Sequence, residues 1–163
     1  MLNATRISFG RLGYRFAYLL IVADRRIRRS KGRGVKMIVR DSDARMLLVR
    51  HTYGSGTWTF PGGRVGRDEP AAKAAQRELL EELAIDSPDL VELGRFPLQC
   101  HRRLETIAVY LSSRDGQDAT PREIEIAAAR WFEPNELPVD VDPQVSTAIG
   151  LLDGYLAELR VSV

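Results

Sequence analysis

The order of apolar and polar positions in the middle of the chain predicts short strands separated by polar turns. Residues 35–39 and 46–49 are apolar, β-favouring runs on either side of Asp41, Ser42 and Asp43, a pattern typical of two adjacent strands joined by a tight turn. Further strands are predicted at residues 58–60, 90–98, 105–111 and 128–132.

Two helices complete the predicted body of the protein. Residues 68–83 are rich in Ala, Leu, Glu and Arg and contain no Gly, with Asp68 as the predicted N-cap and Pro70 in the first turn. A C-terminal helix is predicted from apolar residues at helical spacing: Val145, Ala148, Ile149, Leu152, Leu156 and Leu159. Strands and helices in this order predict an α/β or α+β fold, with a mixed β-sheet sandwiched between α-helices.

The beginning of the chain has a different pattern. Apolar residues at helical spacing predict an extra N-terminal amphipathic helix, with arginines along one side: Leu12, Phe16, Leu19, Leu20, Ala23 and Ile27. Residues 30–34, rich in Gly and basic residues, are predicted to be a linker. We therefore divide the chain into a basic leader, residues 1–33, and one folded domain, residues 34–163.

The leader has three possible roles. Its longest apolar run, residues 16–23, is too short to span a bilayer, and the arginines that follow it argue against a signal peptide. The amphipathic helix can dock on its own domain or on a second copy of the chain in a homodimer. It can also make peripheral membrane contact through residues 11–33. Nucleic acid is the least favoured partner.

Composition sharpens this division. Residues 1–40 carry 11 basic residues and one acid, a net charge of +10, whereas residues 41–163 carry 13 basic and 21 acidic residues, a net charge of −8. A length of 163 residues fits a single domain. The single Cys excludes an intramolecular disulfide, so we expect a cytoplasmic protein. With only two His, a zinc site or a Ser-His-Asp site has little support.

The clearest candidate chemistry lies late in the first predicted helix. Glu78, Glu81 and Glu82 fall within roughly 100° of one another on one helix face, where they repel and where the helix dipole disfavours anions. A hard divalent cation such as Mg²⁺ or Mn²⁺ would make this arrangement favourable. A carbonyl of the preceding Gly62–Gly63 pair can supply a further oxygen ligand. The alternative for the glutamates alone is a solvated acidic face.

The spacing of these residues resembles the Nudix box of the Nudix hydrolase superfamily. The match covers residues 63–85: Gly63, five residues, Glu69, seven residues, Arg77-Glu78-Leu79, one residue, Glu81-Glu82, one residue, then Ala84-Ile85. The approach Trp58-x-Phe60-Pro61-Gly62-Gly63 and the later segment from Trp131 to Pro138 are also similar to the family. One departure is Ala84, where the family has Gly at a left-handed helix end; Ala is tolerable there if the turn differs slightly.

The resemblance implies a Nudix fold and Mg²⁺-dependent hydrolysis of a phosphoanhydride in a nucleoside diphosphate linked to another moiety. It implies that Glu78, Glu81 and Glu82 are metal ligands and that Arg77 and Glu69 orient them. The base that activates water would be Glu78, Glu82 or a carboxylate outside the box. Glu125 is the best outside candidate, as base or further metal ligand, with Glu123 next.

Other polar residues are weaker candidates for the site. Arg50 and His51 end a strand near the glycine pair and can touch substrate, as can Arg102 beside His101 and Arg103. Cys100 reads as a free thiol and Trp58 as packing under the loop.

The substrate is not identified by the sequence, because the subfamily markers expected near residues 99–103 are absent. The rivals to a hydrolase of small nucleotide derivatives are a non-catalytic nucleotide-binding module and a pyrophosphohydrolase acting on RNA 5′ ends or lipid-linked diphosphates.

Overall fold

A computed structural model describes residues 32–100, 103–113, 119 and 125–162. The predicted leader helix and the candidates His101, Arg102 and Glu123 lie outside these residues. No helix within them is long and apolar enough to cross a membrane.

The described residues form two helices and seven strands, and the strands make up one mixed sheet. The strands are β1 Arg33–Arg40, β2 Met46–His51, β3 Trp58–Thr59, β4 Gly62–Arg64, β5 Val91–Cys100, β6 Arg103–Ser113 and β7 Ile126–Phe132; the helices are α1 Ala71–Leu83 and α2 Pro143–Val161. The main path of the sheet is β3-β2-β1-β6-β5, with β4 paired to β1 and β7 paired to β2.

Strand β1 is central to the sheet. It runs parallel to β6 over its whole length and antiparallel to β4, with Lys36 opposite Gly62 and Val35 opposite Gly63. The predicted turn is confirmed, since Asp41 N–H donates to the Arg45 carbonyl at 3.1 Å. Beyond this turn β2 leaves β1 and pairs mainly with β7.

Apolar side chains cover both faces of the sheet, which confirms the predicted layers. On one face Val35, Met37 and Val39 pack with Leu79 and Leu83 of α1. On the other face a second apolar cluster packs beneath α2: Ile38, Leu48, Trp58, Phe60, Val145, Ala148 and Leu152. A strand covered on both faces is expected to be apolar on both, as residues 37–39 of β1 are.

Several local predictions were wrong. Helix α1 begins at Ala71 and not at Asp68, because Pro70 is extended (φ −62°, ψ 141°) and the residue before a proline is disfavoured in the helical region. The predicted linker overlaps β1, which already contains Arg33 and Gly34. In α2, Leu159 is 47% exposed and lies outside the packed face.

Candidate active site

The Gly62–Gly63 pair brings main chain against helix α1. Met37 N–H donates to the Pro61 carbonyl at 2.9 Å, which fastens the approach to β1. A Cβ on Gly63 would lie 2.4 Å from the Glu78 carboxyl carbon, and a Cβ on Gly62 would lie 2.2 Å from the Val35 carbonyl oxygen. No side chain fits at Gly62, where the obstacle is main chain, and a side chain at Gly63 would displace the Glu78 carboxylate.

Arg77 joins three of the predicted carboxylates. Its guanidinium donates to both oxygens of Glu69, at 2.9 and 3.1 Å. It also donates to Glu78 Oε1 at 2.7 Å and Glu81 Oε2 at 3.1 Å. A fifth contact, to the Arg64 carbonyl at 3.1 Å, ties this cluster to the end of β4. Hydrogen bonds to Glu69 and the nearby Glu78 charge raise the pKa of Arg77, so it is a permanent cation in the site.

The loop before α1 is fixed from two sides. Glu69 Oε2 accepts a hydrogen bond from Gly66 N–H at 2.8 Å. Arg33 Nη2 donates to the carbonyls of Gly66 and Arg67, at 2.8 and 3.0 Å. Glu69 therefore connects the loop to Arg77, and its orienting role stays a prediction.

Glu82 faces the glycine pair from the opposite side of this cluster. Its Oε2 accepts from Gly62 N–H at 3.2 Å, and the residue is only 6% exposed. Burial, and then the charge of Glu78, raise the pKa of Glu82 to about 8, against an opposing effect of Lys36. Without metal, this carboxyl group is therefore poorly stabilised as an anion.

The donors around this point fit a hard divalent cation in chemical type. Two buried carboxylates, Glu78 and Glu82, lie beside a side-chain-free stretch of main chain, and a cation would offset the repulsion that raises the Glu82 pKa. Among the residues that the structure describes, no three His, Cys, Asp or Glu side chains are grouped closely enough to hold a metal ion as they stand. Arg77 holds Glu81, the more exposed member, in an ion pair.

A second group of predicted residues approaches the carboxylates from β2 and β7. Thr52 N–H donates to the Glu125 carbonyl at 2.8 Å, and the Glu125 charge contributes to the raised pKa of Glu82. The His51 ring lies 5.1 Å from the Tyr53 ring. Burial and then the charge of Lys36 lower the pKa of His51 to about 4, so its imidazole is neutral at pH 7.

Arg50 makes different contacts from its neighbour His51. Its guanidinium forms an ion pair with Asp140 and lies 4.8 Å from the centre of the Trp58 ring. Trp58 is buried, as predicted, and meets Phe132 edge to face at 5.1 Å. Cys100 ends β5.

Lys36 is the site residue that the sequence reasoning missed. Its Nζ donates to Thr59 Oγ1 at 2.8 Å and to the Phe60 carbonyl at 3.0 Å. The side chain is partly exposed along its length, but its amino group is surrounded by protein. The signal was present in the sequence: Lys36 interrupts the otherwise apolar run from residue 35 to residue 39.

The fold and the glycine turn against a carboxylate helix are those expected of a Nudix hydrolase. Comparison with known proteins assigns the family. Residues 30–149 match the NUDIX domain. The chain belongs to the NUDIX domain family.

Individual relatives agree with this assignment. The chain is 31% identical over 91 residues to the oxidized purine nucleoside triphosphate hydrolase of Mus musculus, covering 56% of this chain but only 58% of that protein. It is 28% identical over 130 residues to a putative 8-oxo-dGTP diphosphatase of Bacillus subtilis, covering 80% and 85% of the two chains. The crystal structure of a C. elegans Ap4A hydrolase binary complex shares the fold, with a TM-score of 0.66 at 19% identity over 77% of this chain and 98% of that one.

Proposed function

We propose that the protein is a divalent-metal-dependent hydrolase that cleaves a phosphoanhydride bond in a nucleotide. The observation that carries the proposal is the cluster built around Arg77, with Glu78 and Glu82 buried against Gly62 and Gly63. Two buried carboxylates are costly in a site that only supports the fold. Their position is reasonable in a site that binds a cation together with a polyphosphate.

Glu78, Glu81 and Glu82 would hold Mg²⁺ or Mn²⁺, with a carbonyl of Gly62 and the Glu125 carboxylate as further oxygen ligands. When bound, the metal supplies charge neutralisation of the phosphates and polarisation of the bond under attack. Glu81 must turn away from Arg77 to join the site, and its side chain is 32% exposed and has room to do so.

The chain's own residues then position the water and accept its proton. Arg77 keeps Glu78 in place through its 2.7 Å hydrogen bond, while Gly62 N–H holds Glu82. The proton of the attacking water would pass to Glu78, to Glu82 or to Glu125, whose charge acts on Glu82. A non-catalytic binding module is less favoured because every box carboxylate is intact.

The names of the relatives suggest where to begin the substrate search. Those from mouse and B. subtilis are named for oxidized purine nucleoside triphosphates, so we propose this class first. Nucleoside diphosphates linked to another moiety, the broader class implied by the sequence, come next. RNA with a 5′-triphosphate end and lipid-linked diphosphates complete the panel.

The test is a panel of these compounds with and without Mg²⁺, assayed by release of phosphate or pyrophosphate. A Glu82→Gln variant should lose activity by at least about a hundredfold, since it removes a charge at the metal site. Glu133→Gln, a loop residue that is exposed, serves as the matched control and should equal the parent. No turnover of any compound, or equal rates for Glu82→Gln and the parent, would reject the assignment.

For the basic leader of a cytoplasmic protein, we propose peripheral membrane contact as an alternative to docking on its own domain or on a second copy of the chain. Sedimentation of the full chain with anionic vesicles, beside a variant in which Arg25, Arg26 and Arg29 are changed to Glu, tests this. Equal binding by both proteins would end the membrane hypothesis. Light scattering on the two proteins without vesicles would show whether a homodimer forms.

A further inference from the structure

We propose that Lys36 is a positioning residue for the metal site, which it serves by fixing the glycine turn that faces the carboxylate helix. This inference rests on the proposed function and assigns a role to a residue outside the Nudix box. Lys36 belongs to β1, and its Nζ donates hydrogen bonds to Thr59 and Phe60, just before the glycine turn.

The first step concerns the anchor itself. Lys36 Nζ reaches two successive residues of the turn, Thr59 through its hydroxyl and Phe60 through its carbonyl. Thr59 is 6% exposed and Phe60 is 1% exposed, so neither acceptor has easy access to water as an alternative partner. The two hydrogen bonds need only two N–H groups, which a lysine amine retains whether charged or neutral.

The second step leads from the anchor to the carboxylates. Phe60 is two residues before Gly62, whose N–H donates to Glu82 Oε2 at 3.2 Å. Lys36 is also the strand partner of Gly62, and a Cβ on that glycine would lie 3.0 Å from Lys36 Cδ. The lysine side chain therefore lies along the turn, so that a change in its length or donors shifts Gly62 relative to Glu82.

The third step separates positioning from charge. Lys36 is close enough to Glu82 and Glu78 to affect them electrostatically. If charge were its only role, removing it would make the site more negative and strengthen cation binding. If it positions the turn, removing it displaces Gly62 and Glu82 and weakens binding. The two roles predict opposite signs for one variant.

The experiment measures Mn²⁺ binding by calorimetry for the full chain and for Lys36→Met and Thr59→Val. Both variants should raise the Mn²⁺ dissociation constant, by roughly tenfold, as is typical for groups that orient metal ligands. Thr59→Val is close in shape to Thr and keeps the lysine, so it provides the test if Lys36→Met does not fold. Far-UV circular dichroism of each variant should match the parent.

Two further measurements decide the interpretation. The double variant should bind Mn²⁺ about as weakly as Lys36→Met alone, because Thr59→Val removes the acceptor of a hydrogen bond that Lys36→Met has already abolished. Lys73→Met, which removes an exposed lysine of α1, should leave the dissociation constant unchanged. Tighter or unaltered Mn²⁺ binding by Lys36→Met, or strictly additive effects, would overturn the inference. Failure of the parent to bind Mn²⁺ at all would instead contradict the proposed function.

Discussion

Helix α1 ends at a residue whose backbone conformation is unfavourable for its side chain. Ala84 is left-handed (φ 59°, ψ 25°), and its N–H bonds to the Leu80 carbonyl at 3.2 Å while Ile85 N–H bonds to the Leu79 carbonyl at 3.2 Å. The helix therefore keeps the left-handed ending that glycine favours, with alanine at that position. We predict that Ala84→Gly stabilises the protein.

The size of the gain follows from two opposing effects. A left-handed conformation costs a residue with a Cβ about 1–2 kcal/mol. Against this, glycine lowers the free energy of unfolding by about 0.4–1 kcal/mol, because it makes the unfolded chain more flexible. The free energy of unfolding should therefore rise by about 0.5–1 kcal/mol. For a protein of this size, that corresponds to a rise in Tm of about 1–4 °C.

Urea unfolding followed by circular dichroism, with a chelator present, measures this gain without interference from bound metal. Ala72→Gly is the matched control: Ala72 is exposed within α1, and the same exchange should there lower the free energy of unfolding by about 1 kcal/mol. Stability of Ala84→Gly equal to or below the parent's would refute the argument, since it would mean that Ala84 carries no backbone strain.

Two further predictions concern side chains of the site. Arg77→Lys should lower kcat/KM by about ten- to a hundredfold, because a lysine cannot bind Glu69, Glu78 and Glu81 together. Steady-state kinetics, with Arg67→Lys as the control, would check this. A change below about twofold would contradict it. His51 binds a proton with a pKa near 6.5 when unfolded and about 4 when folded, so stability should fall as the pH drops from 6.5 towards 4. The loss should be about 1–2 kcal/mol after allowing for solvent screening. Urea unfolding at several pH values should show this loss in the parent but not in His51→Gln, and identical profiles for the two proteins would refute the assigned cause.

The layered fold was predictable because its signals are local. Strand β1 is apolar at both odd and even positions, which indicates a strand covered on two faces, and helix α1 has Leu79 and Leu83 at helical spacing. What the sequence could not show is that β1 runs parallel to β6 and antiparallel to β4. Such pairing depends on contacts between residues far apart in the chain.

The candidate site divides in the same way. The five predicted box residues lie together because four of them share one helix and Arg77 reaches Glu69 from it. Lys36 and Arg33 were missed because each acts through main-chain carbonyls of a distant turn. A carbonyl acceptor leaves no trace in the sequence, so a motif does not reveal the residue that binds one. For Lys36 the available signal was the interruption of an apolar run.

The position of the carboxylates on α1 explains why the site needs so many supporting contacts. Glu78 and Glu82 lie beside Leu79 and Leu83, so the face that anchors the helix also buries two like charges, at 3% and 6% exposure. Each additional contact to these residues comes from a different part of the fold: Arg77 from the helix itself, Gly62 N–H from the turn, and the Lys36 charge from β1. Buried like charges are tolerated only where such partners are fixed in advance. The two buried carboxyl groups are therefore held by Arg77, by a main-chain N–H and by the electrostatic effect of Lys36, so that three separate parts of the fold must be in place before the site exists.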